Sequence, residues 1–280
     1  MTRPLRLGAV AYDPKVVTIW DGFRVWLRHR GLDFDYVLYS HYERQVEELV
    51  GGSIDVAWNS PLAWVRTRRL VPSATSLVMR DTDQDLVSVI VVRADSSTTE
   101  LDELEGATVG VGAVDSPQAT LLPLALIGDT PITVRRFDIG VGLHGDHIGG
   151  ERDAARALVA GEVDAACMSD ATHLMLSKEG TLPAGSTRIL AHTPPYDHCN
   201  MTATSESPES LESPESLGRF VSLLLEMDYA DPAVRPLLDL EGLTRWLPGR
   251  TSGYVQLEAA VDRIGFYDHH GQVTVADYEP

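Results

Sequence analysis

The 280-residue chain has only two cysteines, Cys167 and Cys199, which stand far apart with no C-x-x-C pairing. A small disulfide scaffold is thereby excluded, and a reducing compartment or indifference to redox is expected. Long apolar runs are missing as well. None reaches the roughly 18 residues of a membrane span, so no membrane insertion is expected. Positive charge is scarce: 23 basic residues stand against 41 acidic ones, a net charge of −18. Such an excess repels phosphate backbones and anionic lipid unless a local basic patch intervenes. Short basic pieces such as Arg66, Arg68 and Arg69 read as a solvated helix end, and no nucleic-acid partner is expected.

Nucleotide signatures are absent too. Gly106-Ala-Thr-Val-Gly-Val-Gly112 supplies a G-x-G, but Asp115 stands where a dinucleotide fingerprint needs its next glycine, and no lysine follows as in a P-loop. Met1 to Val10 carries basic residues without an apolar signal core or a small-residue cleavage site. As written the chain reads as cytoplasmic; with a leader upstream it would be periplasmic or cell-surface.

What is present is an alternation of strand and helix signals. Leu5 to Ala11 reads as a strand. Val16, Ile19, Trp20, Phe23 and Leu27 then recur at helical spacing up to Gly31. A second strand at Phe34 to Tyr39, a helix from Glu43 to Val50 and a third strand at Ile54 to Trp58 complete a β-α-β-α-β unit, which argues for a mostly parallel sheet. A similar unit returns with a strand at Thr108 to Val111, a helix from Gln118, a strand near Thr133 to Phe137, a helix from Glu151 to Ala160 and a strand at Val163 to Met168.

The two units echo each other in sequence. Gly52-Ser-Ile-Asp-Val-Ala-Trp-Asn-Ser60 matches Gly161-Glu-Val-Asp-Ala-Ala-Cys-Met-Ser169 at the glycine, the β-branched residue, the aspartate, the alanine and the final serine. Two α/β lobes of related topology follow. The chain crosses between them at the apolar run Val87 to Val92 and returns near Arg188 to His192, so residues 1–91 with 193–280 form one lobe and 92–192 the other. The C-terminal helices are expected to pack on the first lobe. A tandem hexapeptide, Ser207-Pro-Glu-Ser-Leu-Glu212 followed by Ser213-Pro-Glu-Ser-Leu217, reads as a slipped duplication at a helix N-terminus.

Leu7-Gly-Ala-Val-Ala-Tyr-Asp-Pro14, the Gly52 to Trp58 strand with Ser60-Pro-Leu-Ala-Trp64, Leu104 to Gly110, Asp115-Ser116 and Gly161 to Asp170 together resemble the phosphonate/phosphite-type solute-binding proteins of ABC transporters. The resemblance implies an α/β periplasmic-binding-protein fold of two lobes joined by two hinge strands. It also implies a small, anionic ligand in the cleft and an ABC permease as partner, with no cofactor. Carried over residue by residue, the cleft would take Tyr12 from the end of the first strand and Trp58, Asn59 and Ser60 from the end of the third. Ser116, Gln118 and Thr120 would come from the start of the second lobe's first helix, His144 or His147 from the following loop, and Asp170 from the end of the Cys167 strand. The chain departs from the family where Pro117 removes a backbone donor and Gln118 stands in place of a hydroxyl. A carboxylate or sulfur oxyanion thereby becomes comparable to a phosphonate.

His144-Gly-Asp-His147 could reach one metal, but a complete site needs further ligands such as Asp170, His173, His198 or Cys199, and lining the cleft is the preferred role. Tyr196, Asp197, His198 and Cys199 could face the cleft from the returning segment. Adjacent side chains usually point apart, so a nucleophilic Cys199 would draw on His144, His147 or His173 as base rather than on His198. Arg250 either closes over an anion or pairs with acids. The alternative to a binding protein is a cytoplasmic enzyme on the same fold, lyase- or dehydratase-like, with a histidine as general base and Asp170 as its partner.

Overall fold

The computed structural model describes residues 3–138, 148–204, 214–275 and 278. In chain order the elements are β1 (Leu5–Val10), α1 (Lys15–His29), β2 (Phe34–Tyr39), α2 (Tyr42–Val50), β3 (Val56–Asn59), α3 (Pro61–Leu70), β4 (Thr75–Ser76), β5 (Val78–Arg80) and β6 (Ser88–Arg93). They continue with β7 (Thr108–Val111), α4 (Leu122–Ile127), β8 (Thr133–Arg136), α5 (Ile148–Val159), β9 (Ala165–Ser169), α6 (Asp170–Glu179) and β10 (Thr187–His192). The last are β11 (Asn200–Ala203), α7 (Pro214–Leu225), α8 (Arg235–Glu241), β12 (Trp246–Pro248) and α9 (Val255–Ile264). His144, His147 and the repeat from Ser207 to Ser213 lie outside the described residues.

Two five-stranded sheets result, ordered β2-β1-β3-β11-β4 and β10-β6-β9-β7-β8, with β12 and β5 paired separately. In each, three strands at one side of the sheet run parallel, β2-β1-β3 and β9-β7-β8, and an antiparallel strand joins them: β11 beside β3, and β6 beside β9. This is a two-lobed α/β architecture. The chain passes from the first sheet to the second between Arg80 and Ser88 and returns between His192 and Asn200. These crossing segments are tied to each other by a two-way backbone pair, Leu86 with Tyr196, at 2.8 Å in each direction.

The sequence echo has a physical cause. Gly52 and Gly161 sit at φ of +75° and +74° after their helices, where a side chain would be strained. Asp55 and Asp164 each accept a hydrogen bond from the strand beside them, Oδ2 of Asp55 from the Arg6 N–H and Oδ2 of Asp164 from the Thr108 N–H, both at 2.8 Å. Ser60 and Ser169 then cap α3 and α6, accepting from the N–H of Ala63 and of Thr172. One nine-residue segment thus closes a helix, docks a central strand and opens the next helix, once in each lobe.

Both faces of the second sheet are covered, so its strands read as continuous apolar runs. Val89, Val91, Ala166 and Met168 face α5, while Ile90, Val92, Ala165 and Cys167 pack with Ile127 of α4 on the other side. Burial pushes the Cys167 thiol up to about 12. In the first lobe α1 buries Val16, Ile19, Trp20, Phe23 and Leu27 among Leu5, Leu7, Phe34 and Phe220, and α7 and α8 share that core. Helix α9 differs. Its Leu257, Ala260 and Val261 pack with Leu62, Trp64 and Val65 of α3 and also with Leu121 and Leu122, so one apolar cluster spans both lobes.

Arg66 departs from the solvated reading of its segment. It is buried, donating through Nε to the Gly271 carbonyl at 2.9 Å and through one terminal nitrogen to the Glu43 carbonyl at 2.8 Å. Its position on the inner face of α3 turns a basic residue into a tie between α2, α3 and the C-terminal segment.

Candidate ligand-binding site

A cavity of about 460 Å³ lies where the carboxyl ends of β1, β3 and β7 meet, the place where open α/β sheets leave a crevice. Tyr12, Asp13 and Lys15 follow β1. Trp58 and Ser60 to Ala63 come from the end of β3 and the start of α3, and Asp115, Pro117 and Gln118 follow β7. Tyr42 and Glu43 of α2, Arg80, His198, Cys199, Tyr267 and Tyr278 complete the wall.

Two helix starts face into it, one from each lobe. Ser60 caps α3, and Ser116 caps a widely wound turn at Pro117–Leu121 that runs on into α4, accepting from Ala119 N–H at 3.1 Å. In that turn the Leu121 N–H reaches back five residues to the Ser116 carbonyl. Unpaired N–H groups and the aligned peptide dipoles favour negative charge at such ends.

Of the residues expected to line a cleft, the fold brings Tyr12, Trp58, Ser60, Gln118, His198 and Cys199 to the cavity. It places Asn59, Ser116, Thr120 and Asp170 elsewhere. Asn59 points into the lobe, where its Oδ1 accepts from Gln45 and its Nδ2 donates to Thr202 and Thr67, because the strand alternation that sends Trp58 one way sends Asn59 the other. Ser116 is spent on its cap, and the Thr120 hydroxyl donates to the Ala113 carbonyl at 2.7 Å. Asp170 is exposed at the start of α6 and takes no part in the cavity wall. Arg250 pairs with acids, its guanidinium holding Asp197 at 2.7 and 2.6 Å and Asp85 at 2.6 Å.

The charge at the back of the cavity comes from Arg80, Asp83 and Glu241, which motif reading passed over, and from His198, which it named. Arg80 makes two hydrogen bonds to Asp83, at 2.5 and 2.9 Å, donates to the Glu241 carbonyl at 2.8 Å and lies 5.2 Å from the centre of the Trp58 ring. Asp83 is 2% exposed. Burial, the largest influence, would raise its carboxyl, but the charges and hydrogen bonds of Arg80 and His198 together outweigh it and hold the group down at about 2. Burial lifts Glu241 to about 7, against the pull of Arg80. His198 Nδ1 is 3.1 Å from Cys199 Sγ and 3.5 Å from Asp83 Oδ1. Burial opposes its charge, yet Cys199 and Asp83 together raise it to about 10. The expectation that neighbouring His198 and Cys199 diverge fails here, because both precede β11 and lie outside its pleat. Partial burial raises Tyr12 to about 12, although the residue stays 41% exposed, and its hydroxyl is a neutral donor. A signal for Arg80 did exist: a basic residue ends a short apolar run at Val78-Met79-Arg80, with Asp83 three residues on and the crossing segment next.

Among the described residues, two buried acceptors in the wall make no hydrogen bond, Glu43 Oε2 and Gln118 Oε1. Glu43 Oε2 lies 3.7 Å from His41 Nδ1, and Glu43 Oε1 accepts from the Tyr278 hydroxyl at 2.9 Å. A buried acceptor without a hydrogen bond is costly, so these two oxygens mark a part of the wall that a donor would stabilise.

The family model for ABC-transporter phosphonate periplasmic substrate-binding proteins matches residues 9–254. The chain belongs to that family. Among solved structures, PhnD1 from Prochlorococcus marinus in complex with methylphosphonate is 16% identical, with a TM-score of 0.66 over 94% of this chain and 98% of that one. XAC2383 from Xanthomonas citri bound to ATP is 18% identical, with a TM-score of 0.68 over 94% and 98%. The periplasmic aliphatic sulphonate binding protein SsuA from Escherichia coli is 16% identical, with a TM-score of 0.53 over 95% and 87%. At these identities the likeness is one of fold. No curated protein matches the chain. As a member of this family the chain is a solute-binding protein of ABC-transporter type, and the comparisons give the lyase or dehydratase alternative no support. No helix among the described residues is long and apolar enough to cross a membrane.

Proposed function

We propose that the protein captures a small organic anion of phosphonate or sulfonate type that also carries a hydrogen-bond donor, such as an amino group, and presents it to a permease on the outer side of a membrane, in the periplasm or at the cell surface. The observation that carries this reading is the pairing of two helix N-termini across one cavity with two acceptors in the same wall that make no hydrogen bond, Gln118 Oε1 and the Glu43 Oε2 beside His41. The acidic head takes the helix ends together with Lys15, Arg80 and the protonated His198. The donor takes Gln118 Oε1 and Glu43 Oε2, with Asp115 beside them. Five aromatic rings, Tyr12, Tyr42, Trp58, Tyr267 and Tyr278, exclude water from the body of the ligand. The volume falls within the range of about 300–1,000 Å³ common for small-ligand sites.

Closure supplies the remaining contacts. The two lobes turn about the crossing segments at 81–87 and 193–199, the first a few residues before the limit of 91 expected from the sequence because all of β6 belongs to the second sheet, and the ligand favours the closed state by touching both lobes.

Calorimetric titration with methylphosphonate, 2-aminoethylphosphonate, methanesulfonate and 2-aminoethanesulfonate tests this. The amino-substituted members are expected to bind more tightly than their methyl counterparts, and Gln118→Ala is expected to erase that preference. Absence of binding by all four sinks the anion reading. Equal affinity for amino and methyl members sinks the donor.

A further inference from the structure

We propose that Asp83, His198 and Cys199 form a binding site for a thiophilic divalent cation, Zn²⁺ foremost, at the back of the cavity. One oxygen, one nitrogen and one sulfur from these residues lie within 4.8 Å of one another. Two of the three separations are given above, 3.1 Å from Nδ1 to Sγ and 3.5 Å from Nδ1 to Oδ1. Metal–ligand bonds of about 2.0–2.3 Å in a tetrahedron separate donor atoms by about 3.3–3.8 Å, so both separations from Nδ1 already stand close to the spacing that a shared ion needs, and the third lies within 4.8 Å.

The geometry distinguishes this from a catalytic triad. A Cys-His-Asp relay needs the thiol on one ring nitrogen and the carboxylate on the other. Here a single nitrogen, Nδ1, faces both. Such a ring cannot pass a proton from sulfur to oxygen through its two nitrogens. A cation that displaces the Nδ1 proton would instead meet its lone pair in the space between Sγ and Oδ1.

The three ligands are held from outside. Arg80 fixes the Asp83 carboxylate with two hydrogen bonds, the His198 N–H donates to the Asp83 carbonyl at 2.8 Å, and the Tyr254 hydroxyl donates to the His198 carbonyl at 2.7 Å. Outer contacts of this kind orient metal ligands and sustain affinity. The mixed thiol, imidazole and carboxylate set excludes Mg²⁺ and Ca²⁺, which demand oxygen shells, and suits Zn²⁺ and Co²⁺. Three protein ligands leave a fourth position open, and His198 and Cys199 both line the cavity. Water or an oxyanion would take that position.

Cobalt reads the site directly. Reduced, chelator-stripped protein is titrated with Co²⁺ without air, and the thiolate-to-cobalt charge-transfer band is followed. One equivalent is expected to bind, with the band lost in Cys199→Ser, lost or shifted in His198→Gln, kept in Cys167→Ser, and quenched by Zn²⁺. Thermal melting of each variant confirms that it is folded. A wild-type protein with no band, or a band that survives in folded Cys199→Ser, overturns the proposal. Phosphonate titrations run in chelator are independent of this readout, so either reading can fail alone.

Discussion

Replacing Arg80 by methionine keeps most of the side-chain volume and its contact with Trp58 while removing the charge. Asp83 would then remain 2% exposed with its two shortest hydrogen bonds gone. Two unit charges about 4 Å apart at an effective dielectric of about 20 interact by about 4 kcal/mol, and stripping one partner from a buried pair typically costs about 3–5 kcal/mol. His198, with Nδ1 3.5 Å from the Asp83 carboxylate, offsets part of that loss. About 3 kcal/mol is therefore expected for Arg80→Met. The double variant Arg80→Met with Asp83→Asn removes the stranded charge and is expected to regain at least half of it. Urea unfolding followed by tryptophan fluorescence reads the difference, because Trp58 and Trp246 pack edge to face 5.8 Å apart in the first core. A chelator is needed throughout, so that no cation replaces the guanidinium. A single variant within about 1 kcal/mol of wild type, or a double variant less stable than the single, would refute the view that Arg80 exists to neutralise Asp83.

Glu241 gives a pH test. Its folded value of about 7 lies above the ordinary 4.5, so the native state holds the proton more tightly than the unfolded one. The resulting stability is fully present below pH 4.5 and is lost as pH rises through 7, by about 3 kcal/mol at 1.36 kcal/mol per pH unit. Glu241→Gln is expected to flatten the stability profile between pH 5 and 8. A β-carbon at Gly253 would stand 2.1 Å from Asp197 Cγ, and Asp197 is fixed by Arg250 and by its own N–H bond to the Gly253 carbonyl. Gly253→Ala is therefore expected to lower the melting temperature by several degrees, about 4 °C or less per kcal/mol in a chain of this size, and an unchanged melting curve would count against the fixed geometry.

The architecture was legible because local signals and global fold agreed. The apolar spacing of α1, the continuous β6 run and the repeated Gly-x-x-Asp-x-Ala segment each state a requirement that the structure then satisfies. The cavity was legible at strand ends, where Tyr12, Trp58 and Ser60 follow from topology. It was not legible at Asn59, Ser116 and Thr120, whose polar groups serve neighbours in their own lobe, since sequence does not say whether a hydroxyl caps a helix or meets a ligand. Arg80, Glu43 and Tyr278 reach the cavity from distant segments through tertiary packing, and no spacing rule links them.

Helix α9 has a kinetic consequence. Because its apolar side is shared between α3 in one lobe and the Leu121–Leu122 corner in the other, the lobes cannot part without baring Leu257 and Val261 to water or leaving one lobe's contacts behind. Opening is then a wetting event with a barrier of its own, so an apolar seam that runs from the cavity wall at Leu62 out to Leu257 and Val261 adds to the dwell time of the ligand. A docking permease that offered a hydrophobic surface at this seam would accelerate release without competing for the bound molecule.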